Sequence, residues 1–425
     1  MSKLSCASLA SFAVVFTSPS FAASSTTIEG FLAGSALNVL LRNAYISRDY
    51  RTGSQDKAEW GQAFISRFSS GFYELSGVDV GFDAFGLAAL KLDGGGGTSG
   101  ANGIDFFKRD SDGNPARDIS RAGGAVKVRV SNTIFQYGDL MPTLPVLNTD
   151  DSRLLPENFI GTMVTSKEID HVEMVAGHFN AETRKSAAGR DSGGLDKIDV
   201  VGGYFDFSPQ LQASLFHSDV QGRLRRSFAS ASYTIPLSDH RSLNFDFNGY
   251  VTKHDKAFAQ SLSTGQDNKL WSLALNYKFG PHTVVLAYQQ SAGDSPYVYG
   301  GYQSAGYVGD GGGTIFVANS YWSDFNAEDE RSLQIGYGVD FAEYGLPGLS
   351  YRIAAVKGVD IRTADGEGEE RELFNQLQYV VQSGAAKDLK VRLRASWVRV
   401  SNNARAYNQG GDEIRAFIEY PINVF

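Results

Sequence analysis

Stretches of alternating polarity, each about ten residues long and closed by a turn, recur from Thr26 to the last residue, Phe425. In Ser242–Lys253, SLNFDFNGYVTK, Leu243, Phe245, Phe247 and Val251 fall on one face, and Asn244, Asp246, Asn248 and Thr252 on the other. A strand sends successive side chains to opposite faces, so such a stretch is a ribbon with one apolar and one polar side. Asn268–Phe279 repeats the pattern, with Trp271, Leu273, Leu275, Tyr277 and Phe279 opposed to Asn268, Ser272, Asn276 and Lys278. So do Arg331–Phe341, Leu349–Ala355 and Asp412–Tyr420. In a soluble sandwich the polar face meets bulk water. In a membrane barrel the apolar face meets lipid and the polar face lines a lumen.

The start of the chain bears on that choice. Lys3 supplies a positive n-region, Leu9–Val15 a short apolar core and Ser20-Phe21-Ala22 a small-x-small cleavage site. Residues 1–22 therefore read as a secretory signal peptide, and residues 23–425 as the mature chain. The single cysteine, Cys6, lies in the signal, so neither a disulfide framework nor a thiolate metal site is expected. No later stretch approaches 18 consecutive apolar residues, which excludes a transmembrane helix. No linker divides the chain, and one sheet closed on itself accounts for its length. The net charge of −8, with its cations dispersed, argues against nucleic acid as a partner.

About seventeen strand candidates run from Ala36–Arg48 to Glu413–Val424, among them Ala122–Gln136, Leu349–Asp360 and Leu373–Gln382. A bacterial barrel with both termini in the periplasm needs an even number, so about 18 is expected, with one strand missed or merged. Short connections, such as Gly280-Pro281 and Gly384–Lys387, alternate with long ones at Asp93–Ile119, Asp255–Gln266, Ala292–Glu330 and Arg362–Arg371. That rhythm is the outer-membrane arrangement of periplasmic turns and external loops. The fold expected is all-β: a transmembrane antiparallel barrel of about 18 strands. The C-terminal strand ends on an aromatic, Phe425, out of phase with Tyr420, Ile422 and Val424; a bulge at Pro421 would restore the phase.

Positive charges at lumen-facing positions carry the chemistry. In Lys390–Val398, Val391, Leu393, Ala395 and Trp397 face out while Lys390, Arg392, Arg394 and Ser396 face in. Lys127 and Arg129 oppose Val126, Val128 and Val130; Arg415 opposes Ile414 and Ala416; Arg352 opposes Tyr351 and Ile353. Arg or Lys on the lipid face near the midplane costs about 2–4 kcal/mol, which places these side chains in the lumen. A guanidinium fork fits a carboxylate, and a file of forks would let an anion step between weak sites. The plain alternative is that each arginine pairs with an acid and braces the wall. Gly138–Phe159, GDLMPTLPVLNTDDSRLLPENF, is too long and proline-rich for a turn and too apolar for disorder. It reads as a loop folded into the lumen to narrow a pore.

GDLMPTLPVL, SRLLPENF and VAGHFN, followed in order by SLNFDFNGY, NKLWSLALNY, HTVVLAYQ, IFVANS, YWSDF and YVVQSGAAKDLKVRLRASW, closely resemble the OprD family of substrate-specific outer-membrane porins. The resemblance covers essentially the whole mature chain. It implies a monomeric or weakly trimeric 18-stranded barrel in the outer membrane of a Gram-negative bacterium. It also implies inward-folded constriction loops, a basic ladder, and substrates that carry a carboxylate. Carried over, the ladder falls on Arg129, Arg392, Arg394 and Arg415, with Lys127 and Arg42. Arg153 matches the arginine of the constriction loop. A second inward loop, Gly293–Tyr297, brings Asp294 and the adjacent Ser295 as the acidic side. The family divides between channels for basic amino acids and channels for cyclic or aromatic carboxylates such as benzoate or vanillate. The loop around Arg362–Arg371 and SRLLPENF resemble the second group, whereas Asp150 and Asp151 depart from the small residues of the first.

The rival class is an outer-membrane barrel hydrolase, which needs a nucleophile beside a base. His171, His178, His217, His240, His254 and His282 lie in no GxSxG, HExxH or clustered spacing, and no cofactor or metal is called for.

Overall fold

The computed structural model describes residues 24–25, 27–51, 54–93, 104, 106–108, 114–189, 195–299 and 315–425. The segment expected to be a signal peptide, residues 1–22, and the glycine run at 94–97 lie outside the described residues. The strands, in chain order, are β1 (Ala36–Tyr50), β2 (Lys57–Ser69), β3 (Val78–Lys91), β4 (Asp118–Val130), β5 (Thr133–Leu140) and β6 (Asn158–Ser166). Next come β7 (Val172–Thr183), β8 (Ile198–Asp206), β9 (Leu211–Val220), β10 (Leu224–Ser238), β11 (Arg241–His254) and β12 (Asp267–Phe279). The last are β13 (His282–Gly293), β14 (Arg331–Asp340), β15 (Leu349–Thr363), β16 (Gly366–Val380), β17 (Lys390–Val400) and β18 (Gly411–Asn423). Each pairs antiparallel with its neighbours. β1 pairs with β18 from Asn38↔Asn423 to Tyr50↔Gly411 and closes an 18-stranded barrel.

Closure removes free sheet edges, and the alternation then settles which face is which. Leu333 is 65 % exposed and Val126 57 %, whereas Thr252 on the opposite face is 1 % exposed and Lys127 3 %. The apolar face is the outer one, as a lipid-facing surface requires. Every connection at one end is short, whereas the other end carries the long connections at 92–117, 141–157, 184–197, 255–266 and 294–330 beside the short turns at 221–223 and 364–365.

Three sequence expectations change. Ala122–Gln136 is two strands, β4 and β5, turned at Ser131-Asn132, where the Glu168 carboxylate accepts hydrogen bonds from Ser131 Oγ and Asn132 N. The long loop expected at Arg362–Arg371 is a two-residue turn, with Thr363 paired to Gly366. The charged run Glu367–Glu372 hid the first half of β16, expected only from Leu373, because its inward positions, Glu370 and Glu372, are as polar as its outward ones. Pro421 makes no bulge: it pairs in register with Leu40, and Phe425 packs against Phe68.

Candidate functional site

Two glycines turn the chain inward at the 141–157 connection. Gly138 on β5 and Gly161 on β6 are paired across the strands. Gly138 has φ 139°, and a Cβ there would lie 2.3 Å from Gly124 O. A Cβ on Gly161 would lie 2.1 Å from His178 O, where β6 and β7 shift register. Bulges of this kind re-aim the chain. The loop then crosses the lumen. Leu144, Val146 and Leu147 pack with Phe159, Phe179 and Tyr250 on one wall. Leu154 and Leu155 pack with Ala44, Ile65 and Leu87 on the other. The inward loop read from the sequence is therefore present.

Arg42, on β1, fastens that loop to the wall. Its Nη1 donates to Asp151 Oδ1 at 2.7 Å and to Arg153 O at 3.1 Å, and its Nε donates to Glu419 Oε1 at 2.9 Å. Arg153 is buried on the loop, with Nε donating to Ile104 O at 2.9 Å. Burial, and then the positive charges of Arg415 and Arg48, lower Arg153 to about 10. Those three cations thus share one field. Against the cost of burial, Lys185 and Arg153 hold the Asp150 carboxyl well below the usual carboxylate range.

A second strip, Ile315–Glu330, lies along the inner wall. Phe316 N donates to Tyr250 Oη on β11 at 3.1 Å, and Ala318 N to Ser272 Oγ on β12 at 3.0 Å. Asn319 N donates to Gln289 Oε1 on β13 at 3.0 Å, and Ser323 N to Glu372 Oε2 on β16 at 2.9 Å. Tyr250 Oη also donates to Pro145 O at 3.1 Å, so one hydroxyl joins both inward segments.

The basic residues separate into two sets. Lys127 Nζ sits 2.7 Å from Asp83 Oδ1, Arg129 Nη2 2.7 Å from Asp79 Oδ2, and Arg415 Nε 2.6 Å from Glu413 Oε1. With Arg42 these are paired and brace the wall. Arg352, Arg392 and Arg394 form no hydrogen bond or ion pair with the protein among the described residues. Arg352, Gln376, Arg394 and Arg415 lie in one cross-strand row over β15, β16, β17 and β18. The Arg394 guanidinium lies 4.9 Å from the Phe374 ring centre, and that of Arg392 5.0 Å from Phe417. Tyr321, from the second strip, stacks on Phe374 with centroids 4.3 Å apart. Guanidinium donors left open beside aromatic faces bind anions without being quenched by the wall.

The acidic side differs from expectation. Asp294 is exposed at the loop-bearing rim, where its Oδ1 accepts from Asp267 N at 2.7 Å. Ser295 is fully buried, with Oγ 3.2 Å from His254 Nδ1 and donating to Pro296 O at 2.9 Å. A serine sealed this way offers a substrate no approach. Besides Glu413, which pairs with Arg415, an acid of the second strip, Asp324, lies within the field of Arg415 and accepts hydrogen bonds from Tyr299 Oη and Ser320 Oγ. With Tyr321 and Trp322 it was the part of the site that sequence reasoning missed. The signal was YWSDF itself, two aromatics and an acid inside a very long connection.

A closed barrel with an apolar outside, two segments folded into its lumen and open arginines at their level defines an outer-membrane channel for small molecules. Residues 29–424 match the family model described as outer membrane porin, OprD family, and the chain belongs to that family. It is 37 % identical to Porin D of Pseudomonas aeruginosa over 95 % of this chain and 94 % of that one. Among solved structures, OccAB1 of Acinetobacter baumannii is 34 % identical with TM-score 0.87, covering 94 % of this chain and 99 % of that one. OpdK of Pseudomonas aeruginosa, solved with vanillate, is 30 % identical with TM-score 0.78, covering 92 % and 100 %. The chain is accordingly a porin of the Gram-negative outer membrane.

Proposed function

We propose that this porin mediates diffusive uptake of small carboxylate-bearing substrates, aromatic or cyclic acids in particular, with no chemical step. The observation that carries the reading is the pair Arg392 and Arg394: inward, unpaired among the described residues, and each against an aromatic ring. A carboxylate entering beside Arg352, Arg392 and Arg394 meets forked donors, and its ring meets Phe374, Phe417 and Tyr321. Asp151 and Glu419 hold Arg42 in place, so the constriction keeps its shape while the open arginines bind and release the anion. OpdK, a relative, was solved with an aromatic acid, vanillate, which supports the class. Asp324 in the field of Arg415 favours a second reading, a channel for basic amino acids and small peptides, since opposed acid and base orient a dipolar solute.

Single-channel recording in a planar bilayer, with benzoate and then arginine on one side, separates the two. Concentration-dependent block or transport by benzoate alone supports the first reading. A response to arginine alone transfers the protein to the second.

A further inference from the structure

On the outward face of the barrel, near the end that carries the long connections, three cations stand side by side. Lys357 on β15 pairs with Arg371 on β16, and Arg371 with Arg399 on β17. Like charges directly opposite on neighbouring strands repel. Elsewhere on the same rim the charges balance: in a comparable row over β9 to β12, Asp219 and Asp267 flank the cations Arg225 and Lys253, one acid beside each. The acids beside the three cations neutralise them only in part. Lys357 Nζ lies 2.9 Å from Glu369 Oε2, but both side chains are more than half exposed, so the pair is weak and screened. Arg399 Nη1 lies 2.6 Å from Asp412 Oδ1. Arg371 makes no ion pair or hydrogen bond among the described residues.

Directly beneath these cations, toward mid-barrel, runs the row Ile335, Ala355, Leu373 and Trp397. The small Ala355 between larger neighbours leaves an outward groove of about 660 Å³, also lined by Leu286 and Leu333. An apolar furrow lined by Trp397, a residue type favoured at membrane–water boundaries, and capped by unbalanced positive charge matches a lipid with acyl chains below and anionic groups above. The end with long connections faces the cell exterior, so the lipid available there belongs to the outer leaflet.

We propose that this face is a binding site for a phosphorylated glycolipid of the outer leaflet, of the lipid A type. Lys357, Arg371 and Arg399 hold a phosphate, and the groove over Ala355 holds an acyl chain. The site is separate from the pore and stands whether or not the carboxylate reading does.

The test uses the full barrel in detergent micelles, with bound lipid counted by native mass spectrometry. Bis-phosphorylated lipid A, the same lipid stripped of phosphate, and phosphatidylglycerol are titrated in turn. Lipid A should be retained. Loss of its phosphates, or the charge reversal K357E/R371E, should weaken retention about tenfold or more. R225E, in the balanced row, should leave it unchanged, and R371Q serves should the double variant fail to fold. Ala355→Trp should weaken lipid A by filling the groove. Unchanged retention in R371Q, or equal retention of phosphatidylglycerol, overturns the proposal. Single-channel conductance of each variant reports that the barrel is intact.

Discussion

Replacing Arg394 with alanine tests the centre of the functional reading. The residue has no acid to answer to among the described residues, so its removal strands no buried partner and leaves the barrel folded. What it removes is one unit of positive charge at the row shared with Arg352 and Arg415. An anion about 4 Å from that charge loses about 1 kcal/mol in a water-filled lumen, and about 4 kcal/mol where the walls lower the effective dielectric to about 20. The smaller figure alone is about a fivefold change in the local population of the anion, since 1.4 kcal/mol is about tenfold. The anion-to-cation permeability ratio of R394A, measured from the reversal potential under a salt gradient, should therefore fall at least about fivefold. R394K should keep most of the ratio but bind benzoate more weakly, because a point charge replaces a planar fork. A ratio unchanged in R394A, and again in the double variant R392A/R394A, refutes the argument that open arginines set selectivity.

Other expectations follow from the contacts that hold the inward segments. Arg42→Ala leaves Asp151 without its cation and Glu419 with Lys390 alone, a loss of about 3 kcal/mol, and the released loop should raise single-channel conductance. Tyr250→Phe removes the hydroxyl that joins Pro145 O to Phe316 N, at about 1 kcal/mol per bond; current noise should increase while mean conductance changes little. Burial, and then the neighbouring carboxylate of Glu370, push Glu330 well above the ordinary carboxylate range. The sign follows: a raised acid stabilises the folded strip fully below the unfolded value of about 4.3, and that contribution is lost as pH rises through the folded value. Recordings at rising pH should therefore show more frequent fluctuations, and Glu330→Gln should weaken that dependence.

Much of this protein could be read from period-two alternation, because lipid outside and water inside impose opposite demands on successive residues. That constraint placed Arg392, Arg394, Arg415, Lys127 and Arg129 on the inner face and counted the strands nearly correctly. It failed where both faces of a strand have the same polarity. At Glu367–Glu372 both are charged. At Phe179, Val200 and Phe216 the inner face is apolar too, because it packs against segments folded into the lumen, yet the strands expected there, His171–Asn180, Lys197–Phe207 and Gln210–Gln221, are present. The inward turn of the loop after β5 was visible in its length, prolines and leucines, but its two glycine feet were not. Which arginines are quenched by acids was not visible at all. Arg42 meets Asp151, 109 residues away, and Glu419, 377 away, while Arg394 meets neither. Such pairings depend on barrel closure and on how the two inward segments cross the lumen, so tertiary structure alone decided which charges remain for a substrate.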